Sequence, residues 1–278
     1  MTLLVGDCFD KIKEIESSVV QTCVTSPPYW GLRDYENDGQ LGQEDHPEEF
    51  VERLVSLFKE IKRILKDDGT VWVNIGDTYF GPKGGHFDSK NSLTHSDTGT
   101  KYRESRKAPP KHSYLKVKDL IGVPWMFAMA MQRDGWYLRQ DIIWHKPAPM
   151  PEPVKDRCSK SHEYIFLLSK SAKYYYDADA IKEPANGETT GEYKNKRDVW
   201  SINTASYSDA HFAVFPEEIP MNCIKAGTRE GDVVLDPFAG SGTTLMVAQK
   251  LGRKSVGIDI KNEYLDMCLK RTKQLNLL

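Results

Sequence analysis

The chain of 278 residues predicts a single α/β domain: a largely parallel sheet with helices on both faces. Three observations carry this. Strand-like runs alternate with segments of helical period. Several of the runs, among them Val71–Ile75, apolar but for Asn74, and Val233–Leu235, read as buried strands. No internal repeat and no linker between independent domains interrupts the pattern.

The elements follow in order. Leu3–Val5 is a short strand running into Gly6-Asp7, and Val19–Val24 is a β-branched strand ending at Thr25-Ser26-Pro27-Pro28-Tyr29-Trp30, where two prolines stop it. Residues 47–66 place Phe50, Leu54, Leu57, Phe58, Ile61 and Leu65 on one helix face, closed by Asp67-Asp68-Gly69 before strand Val71–Ile75. Residues 81–118 lack apolar period and read as an insertion; a loop this long in a compact domain is usually functional or disordered. Helix signals return over Asp119–Arg133. Strand-like Trp136–Trp144 and His162–Leu168 suit a hairpin at a sheet edge. A second polar stretch, Pro184–Arg197, precedes a helix at Pro216–Ala226, strand Val233–Leu235, a glycine turn, a helix to Leu251, strand Ser255–Ile258 and a last helix from Asn262.

Composition narrows the function classes. A 39% hydrophobic content suits one large domain with insertions. The longest apolar stretch, Leu120–Met131, is broken by Gly122 and Pro124 and is far shorter than the ~20 residues of a membrane helix. The N-terminus has no basic region followed by an apolar one, so a cytoplasmic location is expected. The five cysteines include no CxxC pair and no histidine at ligand spacing, which argues against a disulfide framework and a zinc site; no metal is expected.

The net charge of −2 hides an uneven distribution. Asp34 to Glu52 holds eight acidic residues and no Lys or Arg, whereas Lys101 to Lys118 holds seven basic residues against Glu104 alone. Either run could be a solvated surface. The basic one also carries Tyr102, Pro109, Pro110 and Tyr114 without any period, which suits a loop along a phosphate backbone.

Val233-Val234-Leu235-Asp236-Pro237-Phe238-Ala239-Gly240-Ser241-Gly242-Thr243-Thr244 is a buried strand, a glycine turn and a helix start in succession. Glycines admit a ligand close to the backbone, and the N–H groups of the helix start point at it. Asp259 ends the next strand, 17 residues after Gly242, where a carboxylate can accept from two ribose hydroxyls. A nicotinamide site is the rival, but the glycines do not follow G-x-G-x-x-G, and Asp236 would repel a pyrophosphate. A carboxylate there suits a ligand with an ammonium group, as in S-adenosylmethionine.

Thr25-Ser26-Pro27-Pro28-Tyr29-Trp30 sits at the carboxyl end of a strand, where open α/β sheets bind ligands. A rigid strand-ending turn would explain the prolines but not a hydroxyl beside an aromatic pair. Chemistry explains both. The exocyclic amine of cytosine or adenine is a poor nucleophile because its lone pair is delocalised. Two acceptors that hold its hydrogens favour a pyramidal nitrogen; Ser26 Oγ and the Pro27 carbonyl are of that kind. Tyr29 offers a stacking face to a base rotated out of its helix. Tyr29, Trp30 and Phe238 are candidate faces for a sulfonium. Positioning and electrostatics suffice, with no covalent nucleophile. Methylation at carbon 5 of cytosine needs an attacking cysteine, usually after a proline, and none of the five cysteines follows one.

These two motifs, in this order, resemble those of the beta-class DNA amino-methyltransferases of bacteria and phages, over most of the chain. The resemblance implies their S-adenosylmethionine-dependent, Rossmann-like fold: a mostly parallel seven-stranded sheet with an antiparallel edge hairpin and insertions for DNA recognition. It implies one catalytic domain over 1–278, with a catalytic half at 1–180 and a cofactor half at 211–278. Thr-Ser-Pro-Pro-Tyr-Trp matches the catalytic motif, giving Ser26, Pro27, Pro28 and Tyr29. The cofactor motif gives Asp236, Pro237, Phe238, Ala239, Gly240, Ser241, Gly242, Thr243 and Thr244, joined by Asp259 and Thr25. His211-Phe212-Ala213-Val214-Phe215-Pro216 resembles the segment on the methionine part of the donor, adding Phe215 and Pro216. Gly6-Asp7 resembles the strand end near the adenine, adding Asp7. Asp141–Pro147 resembles the strand and loop beside the target-base pocket.

In that family a serine in the catalytic motif goes with N4 of cytosine, and Asp or Asn with N6 of adenine; both bases present a similar amine, so N6-adenine stays as the alternative. Target recognition is expected in the insertions, 81–118 and 150–197, where Arg157, Lys160, Lys194, Lys196 and Arg197 could reach phosphates or base edges. The implied partners are double-stranded DNA and a cognate restriction endonuclease, with the enzyme a monomer or homodimer. Methylation of ribosomal RNA or of a glutamine side chain uses a related Asn-Pro-Pro-Tyr turn, against which the serine and the motif order count. A non-catalytic nucleic-acid-binding derivative is the remaining class, although every chemically needed residue is present.

Overall fold

The computed structural model describes residues 1–32, 39–81, 111–185, 191–206, 213–214 and 216–275. In chain order the elements are β1 (Thr2–Val5), α1 (Cys8–Lys11), β2 (Val20–Thr25), α2 (Pro47–Ile64), β3 (Leu65–Ile75), α3 (Val123–Arg133), β4 (Tyr137–His145), β5 (His162–Ser169), β6 (Val199–Ser201), α4 (Glu218–Gly227), β7 (Val233–Asp236), α5 (Thr243–Lys250), β8 (Lys254–Asp259) and α6 (Asn262–Leu275). Two short two-stranded ribbons, Glu183–Pro184 with Tyr193–Lys194 and Ala205–Ser206 with Ala213–Val214, stand apart from the main sheet.

The main sheet runs β1-β8-β7-β2-β3-β5-β4-β6, and β5 alone is antiparallel to its neighbours. From the centre the chain winds both ways. It passes from β2 through α2 to β3 on one side and from β7 through α5 to β8 on the other. β2 and β7 lie side by side, paired at Thr22–Val234 and Cys23–Leu235. Their boundary is a topological switch point, where the loops leaving the two strands diverge and open a crevice.

Side-chain alternation shows why both faces are covered. Cys23, Val71, Val73, Phe166 and Leu235 enter one apolar cluster with Leu54, Leu57 and Phe58 of α2 and Phe127 of α3. Their neighbours Val24, Trp72, Ile165, Leu167 and Val234 enter a second cluster with Ile219, Cys223 and Ile224 of α4 and Val247 of α5. Successive residues of a strand point to opposite faces, so a strand buried on both sides is largely apolar, and its buried polar residues pair, as the Thr22 and Thr70 hydroxyls do at 2.9 Å. Helix α2 starts with Pro47 at its first turn beside Glu48 and Glu49, and ends with Lys62 and Arg63, charges that complement its dipole.

Two expectations change. Asp67-Asp68-Gly69 does not separate helix from strand: α2 ends at Ile64, and the triplet lies inside β3, where the register with β2 slips between Val20 and Thr22. The polar triplet fits this irregular stretch, and a Cβ on Gly69 would lie 2.5 Å from Leu65 Cγ and 2.9 Å from the Gln21 carbonyl oxygen. The β4–β5 hairpin forms as expected, but β5 is interior, and an eighth strand, β6, pairs in parallel outside β4 at Ile143–Val199. The strand's three residues, Val199–Ser201, follow the polar stretch Pro184–Arg197 and are too few to give a periodic signal, so the sheet has one strand more than the seven the resemblance implies. Among the described residues no helix is long and apolar enough to cross a membrane.

Candidate active site

The two diagnostic motifs, with Thr25 and Asp236 211 positions apart, leave adjacent parallel strands at the same end of the sheet. Their turns therefore share one cavity of about 370 Å³, whose lining includes Ser26, Pro27, Pro28 and Tyr29 from one turn and Pro237, Phe238, Ala239, Gly240, Ser241 and Thr243 from the other. Asp7 and Asp259 line it too, brought together by β1 and β8, whose last residues Val5 and Asp259 pair.

The catalytic turn is set by its two prolines and by what holds Tyr29. Among the described residues the Ser26 hydroxyl has no hydrogen-bond partner, and the side chain is half-buried in the cavity wall. The Tyr29 hydroxyl donates to Glu163 Oε2 at 2.5 Å and lies 3.3 Å from Asn74 Oδ1. Its ring rests on Gly76, where a Cβ would come within 2.6 Å of Tyr29 Cε2. Tethered at the hydroxyl and slotted against a glycine, the ring has one orientation. Trp30 is a different case. It is 4% exposed in the core, and its indole N–H donates to the Glu44 carbonyl, so it offers no face to a ligand.

The glycine turn divides into a wall and a foundation. Gly240 and Gly242 have φ of +50° and +80°, which other residues rarely adopt. The Gly240 amide donates to Asp259 Oδ2 at 2.8 Å, and the Lys261 amide to Asp259 Oδ1 at 2.9 Å. Each carboxylate oxygen has two lone pairs, so both keep acceptor capacity for ligand hydroxyls. Burial raises the Asp259 pKa above the usual carboxylate value. The Ser241 hydroxyl and carbonyl accept from Arg271 at 2.9 and 3.0 Å, tying the turn to α6. Asp7 caps α1, accepting from the Phe9 amide at 2.7 Å.

Asp236, Thr25, Gly242 and Thr244 form the foundation and do not line the cavity, which corrects the expectation that Asp236 meets a ligand's ammonium group directly. Its carboxylate is 1% exposed and turned toward β2. It accepts from Thr25 Oγ1 at 2.7 Å and from the Phe238 amide at 3.1 Å. Burial pushes its pKa up to about 6 against these lowering hydrogen bonds. Gly242 is required by packing: a Cβ there would lie 2.3 Å from Cys268 Sγ. Pro216 is likewise buried away from the cavity, as its place ahead of α4 dictates. Phe215, with His211 and Phe212, falls outside the described residues, as does most of the 81–118 insertion.

Asn74, at the end of β3, and Glu163, at the start of β5, are polar lining residues that carried no sequence signal of their own; Lys146, just past β4, joins them from the segment expected beside the target-base pocket. They converge because β5 runs against β3 and β4, which brings the first residues of β5 beside the last of the other two. Asn74 Nδ2 donates to Glu163 Oε2 at 3.1 Å, and Lys146 Nζ donates to Glu163 Oε1. Trp144 and Lys146, within the segment Asp141–Pro147, do line the cavity. Arg157 and Lys160 are not among the lining residues and are already engaged, Arg157 with Glu152 and over the Tyr79 ring at 4.0 Å, Lys160 with the Asp77 carbonyl.

A hydroxyl and a rigidly aimed carbonyl beside an oriented aromatic ring can grip an amine, while the glycine turn offers the Gly240–Ser241 backbone, open to close approach, and the Asp259 carboxylate to a nucleoside-like ligand. Comparison with known proteins gives the family and the fold. Residues 20–270 match the family model of the N6/N4 type described as DNA methylase. The chain is 51% identical over 269 residues to the type II methyltransferase M.SmaI of Serratia marcescens, covering 97% of this chain and 89% of that protein. It is 48% identical over 272 residues to the type II methyltransferase M.Cfr9I of Citrobacter freundii, covering 97% and 87%. The fold is shared with the PvuII DNA methyltransferase (cytosine-N4-specific), with TM-score 0.71, 20% identity and coverage of 97% and 85%. It is also shared with a Thermus thermophilus protein solved in complex with S-adenosyl-L-methionine, with TM-score 0.66, 23% identity and coverage of 98% and 93%.

Proposed function

The chain belongs to the N6/N4 DNA methylase family and is a DNA methyltransferase, and from that premise we propose that it moves the methyl group of S-adenosyl-L-methionine directly to the N4 amine of a cytosine flipped out of double-stranded DNA. One observation carries the reading: Ser26 and Gly240, from motifs near opposite ends of the chain, line one cavity. The serine form of the catalytic turn and the cytosine-N4-specific fold neighbour support cytosine over adenine.

The residues present fit the methyl donor. Asp259 has acceptor capacity for ribose hydroxyls, the Gly240–Ser241 backbone is open to close approach, and Phe238 offers an aromatic face beside them. When bound, S-adenosylmethionine supplies an electrophilic methyl group on a sulfonium. The chain's part is positioning. Ser26 Oγ and the Pro27 carbonyl accept the two amine hydrogens, drawing the nitrogen lone pair out of conjugation. Tyr29, fixed by Glu163 and Gly76, stacks on the base. With the donor held by Asp259 and the Gly240–Ser241 backbone, that lone pair would take the methyl group from sulfur and the extra amine proton would leave to solvent. Asp236 holds the two turns in register from behind, and the segments 81–118 and 150–197 recognise the target. A cognate restriction endonuclease and a cytoplasmic setting complete the proposal.

The test is mass spectrometry of nucleosides from duplex DNA incubated with the protein and labelled S-adenosylmethionine. N4-methylcytosine is expected; N6-methyladenine would overturn the choice of base.

A further inference from the structure

We infer that Lys146, held by Glu163 and Trp144, is the specificity-determining residue that reads the acceptor edge of the extruded base. The inference rests on the proposed cytosine target and adds the group that recognises the rest of the ring.

A carboxylate in the slot for an extruded base would repel the acceptors of cytosine, yet Glu163 lines the same cavity as Ser26 and Tyr29. Its two oxygens are already engaged. Oε2 accepts from the Tyr29 hydroxyl at 2.5 Å and from Asn74 Nδ2 at 3.1 Å, and Oε1 accepts from Lys146. The carboxylate is therefore a hub facing protein donors.

Lys146 is the opposite. Among the described residues its ammonium spends one hydrogen bond, on Glu163, while an ammonium carries three donors. Its position is fixed rather than left to a flexible stem: Nζ stands 4.3 Å from the centroid of the Trp144 ring, and Trp144 also lines the cavity. Only 18% of the Lys146 side chain is exposed, so its remaining donors are presented in a largely desolvated slot. The second nearby lysine, Lys160, is committed to the Asp77 carbonyl.

Base chemistry gives those donors a purpose. Beside N4, the edge of cytosine presents two acceptors in a row, N3 and O2. The corresponding edge of adenine presents N1 and then a C–H. A fixed cation with two spare donors matches both acceptors of cytosine but only one of adenine. Ser26 and the Pro27 carbonyl take the amine, where the two bases are alike; Lys146 takes the edge where they differ.

The test pairs a protein change with an atomic change in DNA. Wild-type enzyme and Lys146→Met are compared on a duplex carrying the methylated site and on the same duplex with 3-deazacytosine at the target, which replaces N3 by C–H and keeps N4 and O2. Wild-type kcat/KM is expected to fall by about 10- to 100-fold on the analogue, the size of one hydrogen bond to a charged group. Lys146→Met should lose at least as much on cytosine and show little further loss on the analogue, with S-adenosylmethionine affinity retained. Lys146→Arg, which keeps charge and donors, should recover part of the loss. Equal losses for Lys146→Met on both duplexes, or an unchanged kcat/KM on cytosine, would show that Lys146 only supports Glu163. Should Lys146→Met not fold, wild-type enzyme alone decides: equal methylation of cytosine and 3-deazacytosine removes the N3 contact. The wild-type product, read separately, tells failure of this inference from failure of the cytosine assignment.

Discussion

Thr25 Oγ1 donates a hydrogen bond of 2.7 Å to Asp236 Oδ1, joining the residue before the Ser-Pro-Pro-Tyr turn to the residue before the glycine turn across 211 positions of sequence. Both side chains are 1% exposed. This contact registers the two halves of the site, so Thr25→Val, which keeps shape but removes the donor, is expected to cost about 1–3 kcal/mol of folding stability, the range for leaving a buried acceptor unsatisfied. Denaturant unfolding measures it. A change below about 0.5 kcal/mol, the lower end for a net hydrogen bond, would mean the bond does not couple the strands.

Ser26→Ala removes one of the two amine acceptors. By analogy with the loss of a single preorganised polar partner, kcat should drop by about 100- to 1000-fold, while the affinity for S-adenosylmethionine, measured calorimetrically, stays near wild type. Equal loss of donor affinity would place Ser26 in the wrong half of the cavity.

Gly76→Ala tests how Tyr29 is aimed. The new methyl would sit 2.6 Å from Tyr29 Cε2, forcing the ring from its slot. A misplacement of this size near the reacting groups costs roughly 100-fold in rate. Single-turnover methylation should fall accordingly with the fold intact by circular dichroism. Once Tyr29→Ala has removed the ring, adding Gly76→Ala should cause little further loss.

Gly242→Ala is expected to destabilise rather than to impair chemistry selectively. The position has φ of +80°, and its Cβ would lie 2.3 Å from Cys268 Sγ and 2.7 Å from Cys268 Cβ. Strain and overpacking together cost roughly 1–3 kcal/mol. In a double-mutant cycle Cys268→Gly should return part of it.

The buried Asp236 carboxyl, with its pKa raised from 3.8 to about 6, gives a pH signature. Because the folded value exceeds the unfolded one, the folded state holds this proton more tightly. Its contribution favours folding fully below about pH 4 and is lost as pH rises through about 6. Asp236→Asn should therefore remove a downward component of stability between about pH 4 and about pH 6. Identical slopes for variant and wild type across that window would contradict the assigned environment.

The α/β class was legible in the sequence because strand and helix periods, apolar runs and proline or glycine stops are local. Both motifs also stand out locally: Ser26, Pro27 and Tyr29 suggest an amine grip by residue type, Gly240 with Asp259 a nucleoside site by spacing, and the fold brings the two turns to one cavity. Local signals do not say what each side chain faces. Asp236 and Trp30 look like ligand-facing residues in the sequence, yet burial turns one toward Thr25 and the other toward Glu44. Asn74 and Glu163 look like ordinary polar residues at strand ends. They meet each other and Lys146 only because β5 runs antiparallel between β3 and β4, a pairing fixed by how the whole sheet buries its two faces. Residue chemistry determined what could react, and strand order decided which groups surround it.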